Sequence, residues 1–138
     1  MNIQFRKLHP SLKIPSKSLL NKWLIECISH EGFILGKLSY TFLTDQELLV
    51  LNREFLNHDT LTDVITFDYN QNNIIIGEIY ISLDRVLENS TINNVDFSTE
   101  ILRIIIHGLL HLFGYKDKMP QQKIEMTTKE DYYLSLLP

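Results

Sequence analysis

FSTEILRIIIHGLLHLFGYKD, residues 97–117, decides how this chain is read. From Thr99 to Phe113 the residues are strong helix formers or large and apolar. Ile101, Leu102, Ile104, Ile105, Ile106, Leu109, Leu110, Leu112 and Phe113 leave almost no polar face. A helix of that kind is buried nearly all round, so the fold must close over it. Ser98 is its expected N-cap, with Glu100 in the first turn and Phe97 and Leu102 at the positions of a hydrophobic staple. Gly114 suits the left-handed stop at its end.

Two histidines interrupt this apolar run. His107 and His111 lie four apart and share one helix face, with Cβ atoms ~5–6 Å apart. Their ring nitrogens can then approach one ion at ~2.0–2.1 Å. Gly114 lets the chain reverse, and Asp117 can swing back toward both rings. A histidine pair at this spacing also occurs in plain packing. Buried imidazoles need hydrogen-bond partners, however, and a helix this apolar supplies few. The glycine and the carboxylate at the right offsets strengthen the metal reading, with His107, His111 and Asp117 as ligands. A two-histidine, one-carboxylate set suits zinc by ligand softness, although iron and nickel also accept it. Three protein ligands leave a fourth position open, as catalytic zinc sites do. Such an ion lowers the pKa of bound water to about 7, for attack on a carbonyl or phosphorus centre. Zinc proteases place a glutamate directly after the first histidine. Here that position is Gly108, which weakens a protease reading.

Outward from this helix, the chain reads as one α+β domain over 1–138. NIQFRKL (2–8) alternates as a strand, and Pro10 and Pro15 punctuate the segment after it. Ser16 caps a helix from Lys17 to His30 whose buried face is Leu19, Leu20, Trp23, Leu24, Cys27 and Ile28. Gly32 and Gly36 are expected to bracket a turn, before a strand at 37–44. Thr44 or Asp45 caps a helix over 46–56. Strands at 63–69 and 73–83 form an antiparallel hairpin across the polar turn Asn70–Asn73. One helical turn is expected at 84–89, a loop at 90–95 and a last helix over 121–136. The expectation is a single mixed sheet of about four strands with helices packed on it, carrying a zincin-like metal helix.

Composition bounds the rest. The 138 residues suffice for one core without disulfides, and the single cysteine, Cys27, forms no internal disulfide. No stretch reads as a signal peptide or a membrane span, so a cytoplasmic, soluble protein with no membrane partner is expected. A net charge of −4 argues against non-specific coating of nucleic acid. Within the first 30 residues, though, Arg6, Lys7, Lys13, Lys17 and Lys22 face only Glu26. That run is either a solvated face or a basic patch for RNA.

HGLLHLFGY (107–115) resembles the signature of the YbeY family of bacterial metal-dependent endoribonucleases, H-G-x-L-H-L-x-G-Y-D-H. His107, Gly108, Leu110, His111, Leu112, Gly114 and Tyr115 match it. LNREFLNHDTLTDVITF (51–67) is similar to the family's L-N-x-x-Y-R-x-x-D-x-x-T-D-V-L-S-F at Leu51, Asn52, Asp59, Thr62, Asp63, Val64 and Phe67. GEIYIS (77–82) resembles its G-D-I-x-I-S strand, and the likeness runs from about residue 40 to 130. It implies a single-strand-specific endoribonuclease acting in ribosomal RNA maturation with one zinc ion. RNA precursors would be its partners, with the ribosomal subunit or its proteins beside them.

The chain also departs from the pattern. The family's third histidine falls on Asp117, its preceding aspartate on Lys116, and its arginine, which meets phosphate, on Leu56. A phosphate-binding cation must come from elsewhere. His58 is the nearest candidate, with Arg53 and Lys116 or Lys118 behind it. Asp63 matches a family position near the site, although Thr-Asp before a strand is also an ordinary turn signal. His58 and Asp63 are therefore the candidate catalytic residues, and no general base is assigned. Tyr115 reads as packing. Other classes are a metallohydrolase of peptides or amides, a ribosome-associated assembly module with a structural metal, and a metal-free packing domain.

Overall fold

The structure is a computed structural model describing residues 3–9, 12–57 and 61–137. His58, Asp59 and Pro10 lie outside the described residues. The elements run β1 (Gln4–Arg6), α1 (Lys17–His30), β2 (Ile34–Leu43), α2 (Asp45–Leu56), β3 (Val64–Asp68), β4 (Ile74–Ser82), α3 (Leu83–Ile92), α4 (Phe97–Leu112) and α5 (Pro120–Ser135). Four strands form one mixed sheet in the order β1-β2-β4-β3, the α+β arrangement expected. β1 and β4 both run parallel to β2, while β3 pairs antiparallel with β4 and forms an edge.

One face of the sheet carries Leu38, Tyr40, Phe42, Ile75, Ile79 and Ile81, and α4 and α1 pack on it to form the main core. The other face is covered in part by α2, through a smaller cluster of Leu43, Leu48 and Ile65. α4 comes unusually close to β4. A Cβ on Gly108 would lie 2.9 Å from Ile79 Cγ2, and one on Gly77 would lie 2.8 Å from Leu112 Cδ1. Ile101, Ile105, Ile106, Leu109 and Leu110 are fully buried, as an almost wholly apolar helix requires.

Several boundaries differ from the sequence-based expectation. α4 starts at Phe97, with Asp96 rather than Ser98 at the N-cap, so Phe97 is inside the helix instead of stapling its entry. Of the strand expected over 2–8, Asn2 lies outside the described residues and Gln4–Arg6 forms β1, which stops where Lys7 turns to a positive φ of 58°. Gly36 does not end a turn. It lies within β2 where the register shifts between Leu35 and Lys37, and a Cβ there would meet Ile75 O at 2.9 Å. The expected single turn and loop at 84–95 contain a full helix, α3. Ser82 caps it, and Ser90 is buried with its hydroxyl donating to Leu87 O, which holds the polar tail helical. The capping box at Thr44 and Glu47 starts α2, and Pro120 takes the first turn of α5.

The basic N-terminal residues are dispersed. Lys7 pairs with Glu47 at 3.0 Å. Lys13 borders a cleft at the N-terminal end of α4, and Lys22 borders another beside Leu136. His107 lies ten residues into α4, so about 15 Å of helix separates Lys13 from it. No helix among the described residues is long and apolar enough to cross a membrane.

The close seating of α4 generates a direct test. Gly108→Val should destabilise the fold by about 2–3 kcal/mol in urea unfolding, because the branched side chain has to displace Ile79. An unchanged midpoint would show that the contact is not tight.

Candidate metal centre

The charged and histidine residues of α4 fall in one half-buried stripe, Glu100, Arg103, His107 and His111, at helical spacings of three, four and four. The C-terminal half of this stripe faces the chain that continues beyond the helix. Gly114 adopts φ 102°, a conformation costly for any residue with a Cβ. The reversal brings Asp117 back over the rings. Its Oδ2 lies 3.2 Å from His107 Nε2 and 3.5 Å from His111 Nε2, and the two Nε2 atoms are 3.1 Å apart.

The opposite ring nitrogens are already engaged. His107 Nδ1 donates to Glu130 Oε2 at 2.6 Å, and His111 Nδ1 donates to the Tyr115 carbonyl at 2.9 Å. A carboxylate and a carbonyl only accept, so both neutral rings carry their proton on Nδ1. Both Nε2 atoms then present lone pairs, and the Asp117 carboxylate presents another. Three such acceptors within 3.5 Å repel one another unless a bound cation or an added proton lies between them. These residues form a group able to hold a metal ion, with one atom from each within 4.8 Å of the others.

Titration follows from the same geometry. Burial would lower the His107 pKa, but the Glu130 hydrogen bond and charge, with Asp117 and Asp63 behind them, raise it above the ordinary value. His111 is lowered, by burial and then by the charge of His107. A cavity of about 560 Å³ opens over the cluster. The edge strand β3 forms one wall through Thr66 and Asp68, and Leu56, Asp63 and Lys118 also line it. Asp63 is raised by burial, and Asn89 Nδ2 donates to its Oδ2 at 3.4 Å.

The candidates thus separate. His107, His111, Asp117 and Asp63 meet at one cavity, and of the cations proposed in place of the arginine, Lys118 lines it. Leu56 does stand at the wall where the family pattern has arginine. Sequence reading missed Glu130, Arg103 and Glu31. Glu130 had a signal, since Met126, Glu130 and Tyr133 share the inward face of α5 and a carboxylate in that row needs a partner. Glu31 had none, because it reaches the site only through Tyr115. The Tyr115 hydroxyl donates to Glu31 Oε1 at 2.9 Å, the Tyr133 hydroxyl donates to Oε2, and Lys129 Nζ lies 3.4 Å from Oε2. Gly108 faces the sheet, so a glutamate there would collide with Ile79 rather than reach the cavity.

Two imidazoles and one carboxylate are a donor set of the kind mononuclear metal hydrolases use. The chain matches the family model described as endoribonuclease YbeY over residues 3–137. It is 46% identical over 114 residues to the endoribonuclease YbeY of Flavobacterium psychrophilum, covering 83% of this chain and 81% of that one. It is 40% identical over 135 residues to that of Cytophaga hutchinsonii, covering 97% and 94%. The solution structure of TM1509 from Thermotoga maritima superposes with a TM-score of 0.68 at 28% identity, covering 96% of this chain and 87% of that one. The chain belongs to the YbeY endoribonuclease family.

The Tyr115 anchor has a pH signature. Burial would raise the Glu31 carboxyl, but the tyrosine hydrogen bonds and Lys129 outweigh it and hold the pKa below the ordinary value. A depressed folded-state pKa stabilises the fold above the unfolded value, and that contribution is lost as pH falls through the folded value. Glu31→Gln should therefore lower the melting temperature at neutral pH, with the gap to wild type closing in acid. A gap independent of pH would remove the charge from this account.

Proposed function

We propose that this chain is a single-strand-specific endoribonuclease of ribosomal RNA maturation, working in the cytoplasm with one zinc ion. His107 Nε2, His111 Nε2 and the Asp117 carboxylate hold that ion. The observation that carries the reading is the triad of acceptor atoms within 3.5 Å, opening on the cavity. Zinc, when bound, supplies a Lewis acid for the scissile phosphate and neutralises developing charge. Asp117 brings more negative charge than the histidine of the family pattern, which makes the ion a weaker Lewis acid.

The chain's own groups do the rest. Asp63 shares the cavity wall and is the candidate proton acceptor, its burial moving the carboxyl toward the range useful for a general base. The attacking hydroxyl is that of water or of the RNA ribose, and a 2′,3′-cyclic phosphate product identifies the second. Lys118 takes the place that Leu56 leaves empty and meets the phosphate. Thr66 and Asp68 on β3 line the path of the strand. Precursor ribosomal RNA is the substrate, with the ribosomal subunit or its proteins as further partners.

The experiment compares metal-loaded wild type and folded His111→Ala on single-stranded RNA and on casein. RNA cleavage should fall by more than about 100-fold in the variant, and casein should stay intact with both. Chelation should abolish cleavage and zinc restore it, while zinc at about 100 times its Kd should stabilise the fold by about 2.7 kcal/mol. Full RNA cleavage by His111→Ala would overturn the assignment. Lys118→Ala should lower kcat/KM about 10–100-fold, as loss of a charge-assisted hydrogen bond does, and an unchanged value would remove it from the site.

A further inference from the structure

Glu130 is the most conspicuous buried charge outside the cavity. Its side chain is 8% exposed, on the face of α5 that also buries Met126 and Tyr133. A carboxylate in such a row costs several kcal/mol in desolvation unless both oxygens are engaged. Both are. Oε1 accepts from Arg103 Nη1 at 2.8 Å, and Oε2 accepts from His107 Nδ1 at 2.6 Å.

A purely structural ion pair does not explain this arrangement. Arg103 has a second carboxylate, with Nη2 donating to Asp131 at 2.7 Å, and the Asp131 side chain is 61% exposed. That partner would tie α4 to α5 without burying a charge. What Asp131 does not reach is His107. Arg103 sits one turn before His107 on α4, so the guanidinium holds the carboxylate at the height where the Nδ1 proton emerges. A fixed carboxylate acceptor locks the ring's tautomer and its rotation together, and increases the basicity of the far nitrogen.

We infer that Glu130, itself held by Arg103, is the positioning residue that orients His107 Nε2 into the cavity and strengthens it as a ligand. This makes α5 a working part of the centre. The role is asymmetric, since His111 is held by the neutral Tyr115 carbonyl instead. The inference rests on the reading of His107 as a metal ligand.

The test uses the full chain with Zn²⁺ as probe. Chelator competition is run on wild type, Glu130→Gln, His107→Ala and the paired Arg103→Met/Glu130→Met variant, which leaves neither partner buried without the other. Glu130→Gln should keep wild-type circular dichroism and bind Zn²⁺ about 10–100-fold more weakly. The paired variant should show a similar loss. In zinc-loaded wild type, the His107 Nδ1 proton should resonate far downfield and move upfield in Glu130→Gln together with the loss of zinc affinity, whereas a merely structural contact would leave the affinity unchanged. Wild-type zinc affinity in both Glu130 variants, with binding lost in His107→Ala, would leave the ligand reading standing and sink the positioning role. Unchanged affinity in His107→Ala would sink both. Should the substitutions prevent folding, a zinc-loaded wild type with no downfield Nδ1 proton would also overturn the inference.

Discussion

Helix α4 rests on β4 with glycine on both sides of the contact, Gly108 facing Ile79 and Gly77 facing Leu112. The remaining geometry depends on that seating. It buries the apolar face so fully that the helix can turn only in one way, leaving the stripe from Glu100 to His111 as its half-solvated side. The β3–β4 hairpin is tied to the end of the same helix. Asn70 Nδ2 donates to the Leu112 carbonyl at 2.7 Å, and Asn70 Oδ1 accepts from Ile76 N at 2.9 Å. One side chain thus satisfies a terminal helix carbonyl and sets where the edge strand runs past the cavity.

Polar groups continue in a row outward from the cavity. The Asp117 carboxylate is followed by the two imidazoles, then by the Glu130 carboxylate and the Arg103 guanidinium. Each group is partnered by one of opposite or complementary character, and among the described residues no buried side-chain nitrogen or oxygen is left without a hydrogen bond. At the cavity the two Nε2 atoms meet at 3.1 Å, with Asp117 Oδ2 against both of them. That meeting point is a group of atoms able to hold a metal ion.

Two departures from the family pattern, Asp117 and Leu56, line the cavity, while Lys116 lines a separate cleft beside Tyr115. Asp117 and Leu56 are both at the opening, whereas the residues matched in the signature, Gly108, Leu110, Leu112 and Gly114, seat or end the helix. Packing constrains the second group tightly, because a Cβ at position 108 already meets Ile79. The rim is less constrained by packing, because Asp117, Leu56 and Lys118 border a solvated cavity.

By itself the sequence determined the α+β class, the α1 boundaries at Lys17 and His30, the hairpin and the facing pair of histidines. Each follows from local periodicity, a capping residue or a turn, all encoded within a few residues. It misplaced the start of α4 and ended α3 too early, because Ser90 and Thr91 look like loop until their hydroxyls bond back to Leu87. The tertiary structure alone decided which groups reach the histidines from afar. Glu130 arrives from 23 residues beyond His107, and Glu31 acts on the loop through Tyr115 from 84 residues before it. Such pairings depend on how helices dock, and docking is set by the shape of the whole core rather than by spacing along the chain.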